Sequence, residues 1–419
     1  MRLSVAAFAF AVAAASLATP ARAQEPALDA FVREVLERNP SLRARGETHR
    51  SYRQEAIAAG KYPDPSVAVM VDRLPERMGG EMPMVRYQVS QMVPWPGKLG
   101  LMRASVERAG DAAAANVDVR RLELRVDVER GWAMLRLNLK RRQINRANRN
   151  LVATIAAAAL GRYAAGVGGH HDVARAQVEL NALDVQLVDL DGERASIVAM
   201  LNALRDRPSD LAIADPPPDA PAAPADLALQ PLVDRALAQR PELRGMKAME
   251  NEALAMASLA RKEVYPDLMG SVWVNQMIGS VTVAPTVGIM IGGTIPVFGV
   301  SRQQHRAAAF DARAQAAAAE QASMRSMVRF EVADALIKVQ TATRQLALLR
   351  DSALPKARES FEASLAAFGA GNLDTLGVLD ARRALQTAQL AVVEAEAVRA
   401  MALANLERAV GGPLGGGSR

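Results

Sequence analysis

His170-His171-Asp172 sets two imidazoles beside a carboxylate, a donor set that suits a divalent cation such as zinc. Adjacent residues on a helix point about 100° apart, however, so one chain cannot turn both rings toward one ion. Met78, Met82 and Met84 in "RMGGEMPM" offer thioethers, the ligands that select Cu(I). They fall in the loop between the first two strand-like runs, an odd place for a metal relay. The other histidines, His49 and His305, are isolated, and the chain has no cysteine. Thiolate metal sites, cysteine nucleophiles and disulfides are thereby excluded. No glycine-rich phosphate loop, nucleophile elbow or pair of spaced acids occurs. The residue types predict no enzyme, no cofactor and no resident metal.

The chemistry therefore has to lie in the architecture. Residues 1–23 read as a signal peptide: Arg2, an apolar run from Leu3 to Leu17, then Ala21-Arg22-Ala23 as a cleavage site. No cysteine follows, so no lipid anchor is expected. The formal charge of +6 falls to +4 without those residues, which hold two arginines and no acids. The excess is spread along the chain, which argues against a nucleic-acid partner. No mature segment reaches the roughly 18 consecutive apolar residues of a membrane-spanning helix.

The chain is built twice. "LERNPSLRA" (36–44) returns as "LAQRPELRG" (237–245), and "KYPDPSV" (61–67) as "VYPDLMG" (264–270). "VPWPGK" (93–98) returns as "IPVFGV" (295–300), and "RYAAGVGGHHDVARAQVEL" (162–180) as "AFGAGNLDTLGVLDARRAL" (367–385). The offsets are 201, 203, 202 and 205, so the copies are collinear. This divides the chain into a signal peptide (1–23), a first repeat (24–205), a Pro-rich connector (206–229), a second repeat (230–411) and a tail (412–419). Each repeat is expected to carry two short helices, two strands, a very long helix, a Gly-rich turn and a long return helix.

The strands alternate with period two. Val67, Val69 and Val71 face one way, as do Val85, Tyr87 and Val89, and Val287, Ile289 and Ile291. Their neighbours, among them Arg86, Gln88, Ser90, Thr286 and Gly288, are polar or small. The pattern fits either a half-buried soluble sheet or a membrane barrel, and export without an apolar helix favours the barrel. Four strands cannot close in lipid, where a barrel needs at least about eight, so several copies must share one.

Between Gly97 and Pro208, and between Pro296 and Pro355, proline is absent and helix formers dominate. One helix from Lys98 to Tyr163 would be about 100 Å long at 1.5 Å per residue. The alternating stretch Leu122–Glu129 lies inside it without turn residues and is read as helix. Pro355 should bend the second long helix, where the first repeat has Asn150. Pro94, Trp95, Pro96 and Gly97, with Pro296 and Gly299 in the second repeat, mark the handover from barrel strand to helix. Trp95 fits either the lipid interface or a packed junction.

With these features the whole mature chain resembles the TolC-type outer membrane efflux proteins, and "PWPGKLG" resembles their heavy-metal branch. The resemblance implies a mainly α fold with a β-barrel contribution: a homotrimer whose twelve-stranded barrel in the outer membrane stands on an α-helical coiled-coil barrel crossing the periplasm. It implies outer membrane lipid, a periplasmic adaptor (membrane fusion) protein and an inner-membrane RND (resistance–nodulation–division) pump as partners. Gly166 and Gly371 match the family's turn glycines, which contact the adaptor, and Asp172 and Asp380 match its gate acids. Leu373 stands where some members have a gate arginine, and Gly377 where they have an acid. Any latch cation must then be Arg175, Arg382 or Arg383. Breaking such exposed pairs costs about 1 kcal/mol each. Drug efflux or type I protein secretion suits the same duct. A periplasmic coiled-coil adaptor is the alternative of another class, and it would need only one hairpin.

Overall fold

The computed structural model describes residues 27–72, 84–217, 227–277, 284–295 and 299–414. The signal peptide, Met78, Met82, Pro296, residues 218–226 of the connector and residues 415–419 of the tail lie outside the described residues.

The first repeat opens with α1 (Ala27–Arg38) and α2 (Pro40–Ala59). Proline at the first helical position gives up an amide that would be unpaired there anyway. Asn39 caps α2, its Oδ1 accepting from the Ser41 and Leu42 amides at 3.0 and 3.2 Å. Strands β1 (Ser66–Asp72) and β2 (Met84–Val93) lead into α3 (Lys98–Ala164), 67 residues and about 100 Å of unbroken helix. α4 (His170–Leu204) returns. The second repeat runs α5 (Leu229–Gln239), α6 (Pro241–Lys262), β3 (Leu268–Met277), β4 (Thr286–Gly293), α7 (Gly299–Leu348), α8 (Leu354–Gly369) and α9 (Thr375–Val410).

A single π-helical turn, Leu349–Ala353, joins α7 to α8 immediately ahead of Pro355. The missing proline amide and the ring's clash with the preceding turn widen the ladder there, where α3 runs on through Asn150. In the alternating stretch, Leu124 and Val128 point into the first repeat's core while Val126, on another face, is also buried. A helix covered on two sides produces apolar alternation without being a strand.

Each repeat has its own helical core. Phe31, Val35, Leu124, Val128, Trp132, Leu135 and Leu201 fill the first, with Phe31 and Trp132 rings 5.3 Å apart. Leu232, Leu243, Val328, Val332, Leu336, Val339 and Leu406 fill the second. A third cluster near the helical turns draws Val152, Ile155 and Leu183 together with Phe361, Phe368 and Leu379 from the other repeat. Among the described residues no helix is long and apolar enough to cross a membrane.

Candidate functional site

The four strands form one antiparallel sheet in the order β1-β2-β3-β4. Pairing aligns the alternating residues into rows. Val67, Val89, Val272 and Ile289 make one row, and Val69, Tyr87, Val274 and Val287 the next. All eight are exposed, and Ile291 at 83% is the most exposed of the strand residues around them. The opposite face carries the rows Met70–Arg86–Asn275–Thr286 and Ala68–Gln88–Trp273–Gly288. Arg86 Nε donates to Asn275 Oδ1 at 2.9 Å and lies over the Trp273 ring, while Ser271 is fully buried. Trp273 fills the space a side chain at Gly288 would take, 2.4 Å from a Cβ built there. The sheet thus shows its apolar face to the surroundings and shelters its polar one, the reverse of a soluble sheet. Val85, buried, is the exception on the apolar face.

Among the described residues the outer edges of β1 and β4 are unpaired, and the duplication extends to register. The β1–β2 partners Val67↔Val89 map by the repeat offsets onto the β3–β4 partners Gly270↔Ile291. An unpaired edge in lipid leaves backbone donors and acceptors without partners, so both edges require strands from elsewhere.

The strand-to-helix junction ties the repeats together. Gly97 adopts φ 88°, a left-handed conformation that leaves Lys98 to start α3. Lys98 Nζ, buried, donates to Asp267 Oδ1 and to the Tyr265 carbonyl, both at 2.8 Å. The Trp95 amide donates to the same Asp267 Oδ1 at 2.8 Å, and its indole stacks on Tyr265 at 5.3 Å. Pro94 and Pro96 offer no competing donor. In the second repeat Gly299 begins α7 and is buried.

At the opposite end, Gly166 (φ 74°) and Gly371 (φ 79°) close α3 and α8 in the same way. The amides of Gly166 and Val167 bond the carbonyls of Tyr163 and Arg162, and those of Gly371 and Asn372 bond Phe368 and Ala367. These are paired Schellman motifs. A Cβ at either glycine would meet nothing within 4 Å, so the backbone angle rather than packing demands glycine. Asp172 is the third helical residue of α4, and its carboxylate accepts from the Gly169 amide at 3.4 Å, a cap. His171 Nε2 lies 3.5 Å from Asp172, while His170 packs edge-on to Tyr163. Among the described residues no group of three metal-ligating side chains assembles.

Asp380 pairs with Arg383 on its own helix at 3.2 Å, and Arg175 is exposed without a partner among the described residues. The contact that joins the two return helices uses an acid the sequence reading passed over. Glu179 on α4 is held by Arg383 at 2.6 Å and by the fully buried Arg382, which also donates to Gln386 at 2.6 Å. Burial works to raise the Glu179 carboxyl, but the two guanidiniums outweigh it and hold it below the usual carboxylate range. The only sign of this in the sequence is that "VEL" and "DARRAL" stand at matched places in the two repeats. Asp374 Oδ1, likewise overlooked, caps α9 by accepting from Gly377 at 2.9 Å.

A lipid-exposed apolar sheet with open edges, mounted on helices too long for a compact domain, defines a channel-forming barrel protein. The sequence profile of outer membrane efflux proteins matches residues 31–205 and 232–412, one segment in each repeat, and the chain belongs to that family. That family is one of outer membrane efflux channels. No curated protein sequence matches it. Among solved structures, the outer-membrane channel OprN superposes with TM-score 0.80 at 20% identity, over 92% of this chain and 90% of that one. CusC gives 0.76 at 17%, over 92% of each chain. The open state of MtrE from Neisseria gonorrhoeae gives 0.75 at 20%, over 93% and 90%.

Proposed function

We propose that three copies close a twelve-stranded barrel in the outer membrane, after residues 1–23 have directed export. Their helices form a periplasmic duct that receives cargo from an RND pump through an adaptor protein. The observation that carries this reading is the rows of exposed apolar side chains on a sheet with two open edges. Extending the β2–β3 register by the repeat offsets sets Ile291 of β4 opposite Val69 of the next copy. Because the chain lacks cysteine, Val69→Cys with Ile291→Cys provides a clean test. Directly opposed residues lie within disulfide reach, whereas these two stand on opposite edges of one chain's sheet. Oxidation should give covalent dimers and trimers. A ladder that never leaves the monomer contradicts the closure.

The cargo follows from "PWPGKLG": heavy-metal cations. Cells lacking this chain should lose resistance to divalent heavy-metal ions before resistance to hydrophobic drugs. The reverse order favours drug efflux. At the far end of the duct, Gly166 and Gly371 give the adaptor access to bare backbone. Asp172, Arg175, Asp380 and Arg382 surround the constriction, and the Glu179 clamp supports its closed form.

A further inference from the structure

Two helices carry apolar stripes that nothing among the described residues covers. On α7, Phe330, Ile337 and Leu348 are all exposed, Leu348 at 68%, opposite the buried face formed by Val328, Val332, Val339 and Leu346. On α4, Val178, Val185 and Val188 are exposed, Val188 at 71%, opposite the face formed by Val173, Ala176, Leu183 and Leu201. Spacings of seven and eleven residues on α7, and of seven and three on α4, keep each stripe on one side of its helix, as in a helix–helix seam, and the exposed Gly192 and Ala195 continue the second.

The duplication shows what each stripe faces. Residue n of α3 corresponds to n + 204 of α7, as the buried pairs Leu135/Val339 and Asn138/Ala342 illustrate. Residue n of α4 corresponds to n + 205 of α9, as Val173/Val378 and Leu201/Leu406 illustrate. The α3 residues matching Phe330, Ile337 and Leu348 are Val126, Ala133 and Ile144. The first two are buried and Ile144 is half-buried, and Ala133 shares a small gap with Val393 and Ala397 of α9. That α3–α9 seam also holds the ion pair Lys140–Glu396 at 2.6 Å. Moved by the offsets, Val393 and Ala397 become Val188 and Gly192, and Lys140–Glu396 becomes Arg344–Asp191. Arg344 has no partner within the chain among the described residues, while Asp191 already pairs with Arg142 at 2.7 Å, so Arg344 would be its second cation, as Arg350 is for Glu396.

Heights agree independently. Glu396 takes both Lys140 and Arg350, and Asn138 donates to the Leu190 carbonyl. Leu348 and Val188 therefore stand at one level, and rotation about the duct axis preserves level. We infer that α4 of each copy packs against α7 of the next through Val188 on Leu348 and Asp191 on Arg344, a between-chain replica of the α3–α9 seam. Resting on the trimeric duct proposed above, this names the surface that seals the duct below the barrel.

Val188→Cys with Leu348→Cys, in full-length detergent-extracted protein treated with a short bis-maleimide, should give covalent dimers and trimers, and either single variant should stay monomeric on a denaturing gel. Arg344→Glu should lower the temperature at which SDS-resistant trimers dissociate, and Asp191→Lys with Arg142→Gln in the same chain, which also removes the cation that faces Asp191 within the chain, should restore it. If the barrel-edge pair Val69/Ile291 cross-links while Val188/Leu348 does not, the helical seam is overturned and the trimer stands. If neither pair cross-links, both fall.

Discussion

Arg382, fully buried on α9, donates to Glu179 on α4, so the return helices of the two repeats are clamped a short way above their turns. The clamp is not duplicated: the offset of 205 puts Gln177 opposite Arg382 and Ala384 opposite Glu179. The α4–α9 contact near the turns is therefore held by a charge cluster that the repeat does not copy.

Glu179→Gln leaves Arg382 buried with a neutral partner, and loss of one member of a buried pair costs about 3–5 kcal/mol. Single-channel conductance in planar bilayers should rise as the α4–α9 contact loosens. Conductance equal to the parent's would show that the clamp does not restrain the duct. Asp172→Ala removes a helix cap, about 1 kcal/mol, and one acid of the proposed constriction, and should raise conductance less than Glu179→Gln.

Glu129 on α3 should make stability depend on pH. Burial, seconded by Glu407, pushes its carboxyl up to about 7 against the pull of Arg125. A carboxyl raised on folding favours the folded state while protonated. Stability then falls as pH climbs from the ordinary value of 4.5 through about 7, by roughly 3 kcal/mol at about 1.4 kcal/mol per pH unit. Glu129→Gln should raise the thermal midpoint at pH 8 and leave it unchanged at pH 4. Equal shifts at both values would refute the assignment.

Lys98→Met should loosen the junction. The half-buried Asp267 keeps only the Trp95 amide, and a hydrogen bond to a charged group contributes about 1.5–3 kcal/mol. The dissociation temperature of SDS-resistant trimers is expected to drop, with secondary structure preserved in circular dichroism.

Gly166→Ala and Gly371→Ala force a Cβ into left-handed backbone, at about 1–2 kcal/mol each. Amide exchange should speed up in the last turns of α3 and α8 and stay slow in the sheet. Uniform acceleration would mean that the turns are not independent of the barrel.

Much of this architecture was legible because duplication and periodicity are both one-dimensional. Pro40 and Pro241, the alternating valines and the proline-free spans placed every element. The turn glycines showed their left-handed angles through composition alone. The ion pairs were illegible for a different reason. Lys98–Asp267 and Glu179–Arg382 span 169 and 203 residues, and nothing in local spacing tells which charges will meet once two repeats pack. Trp95 left two environments open, and only the Tyr265 ring decided that it stacks within the junction.

The central claim is that one chain supplies a third of a closed barrel, and native mass spectrometry of the detergent-solubilised protein tests it most directly. Particles holding three chains are the expected result. A monomer that persists at every detergent concentration would leave the edges of β1 and β4 unpaired, and an assembly of two would close at about eight strands rather than twelve; either contradicts it.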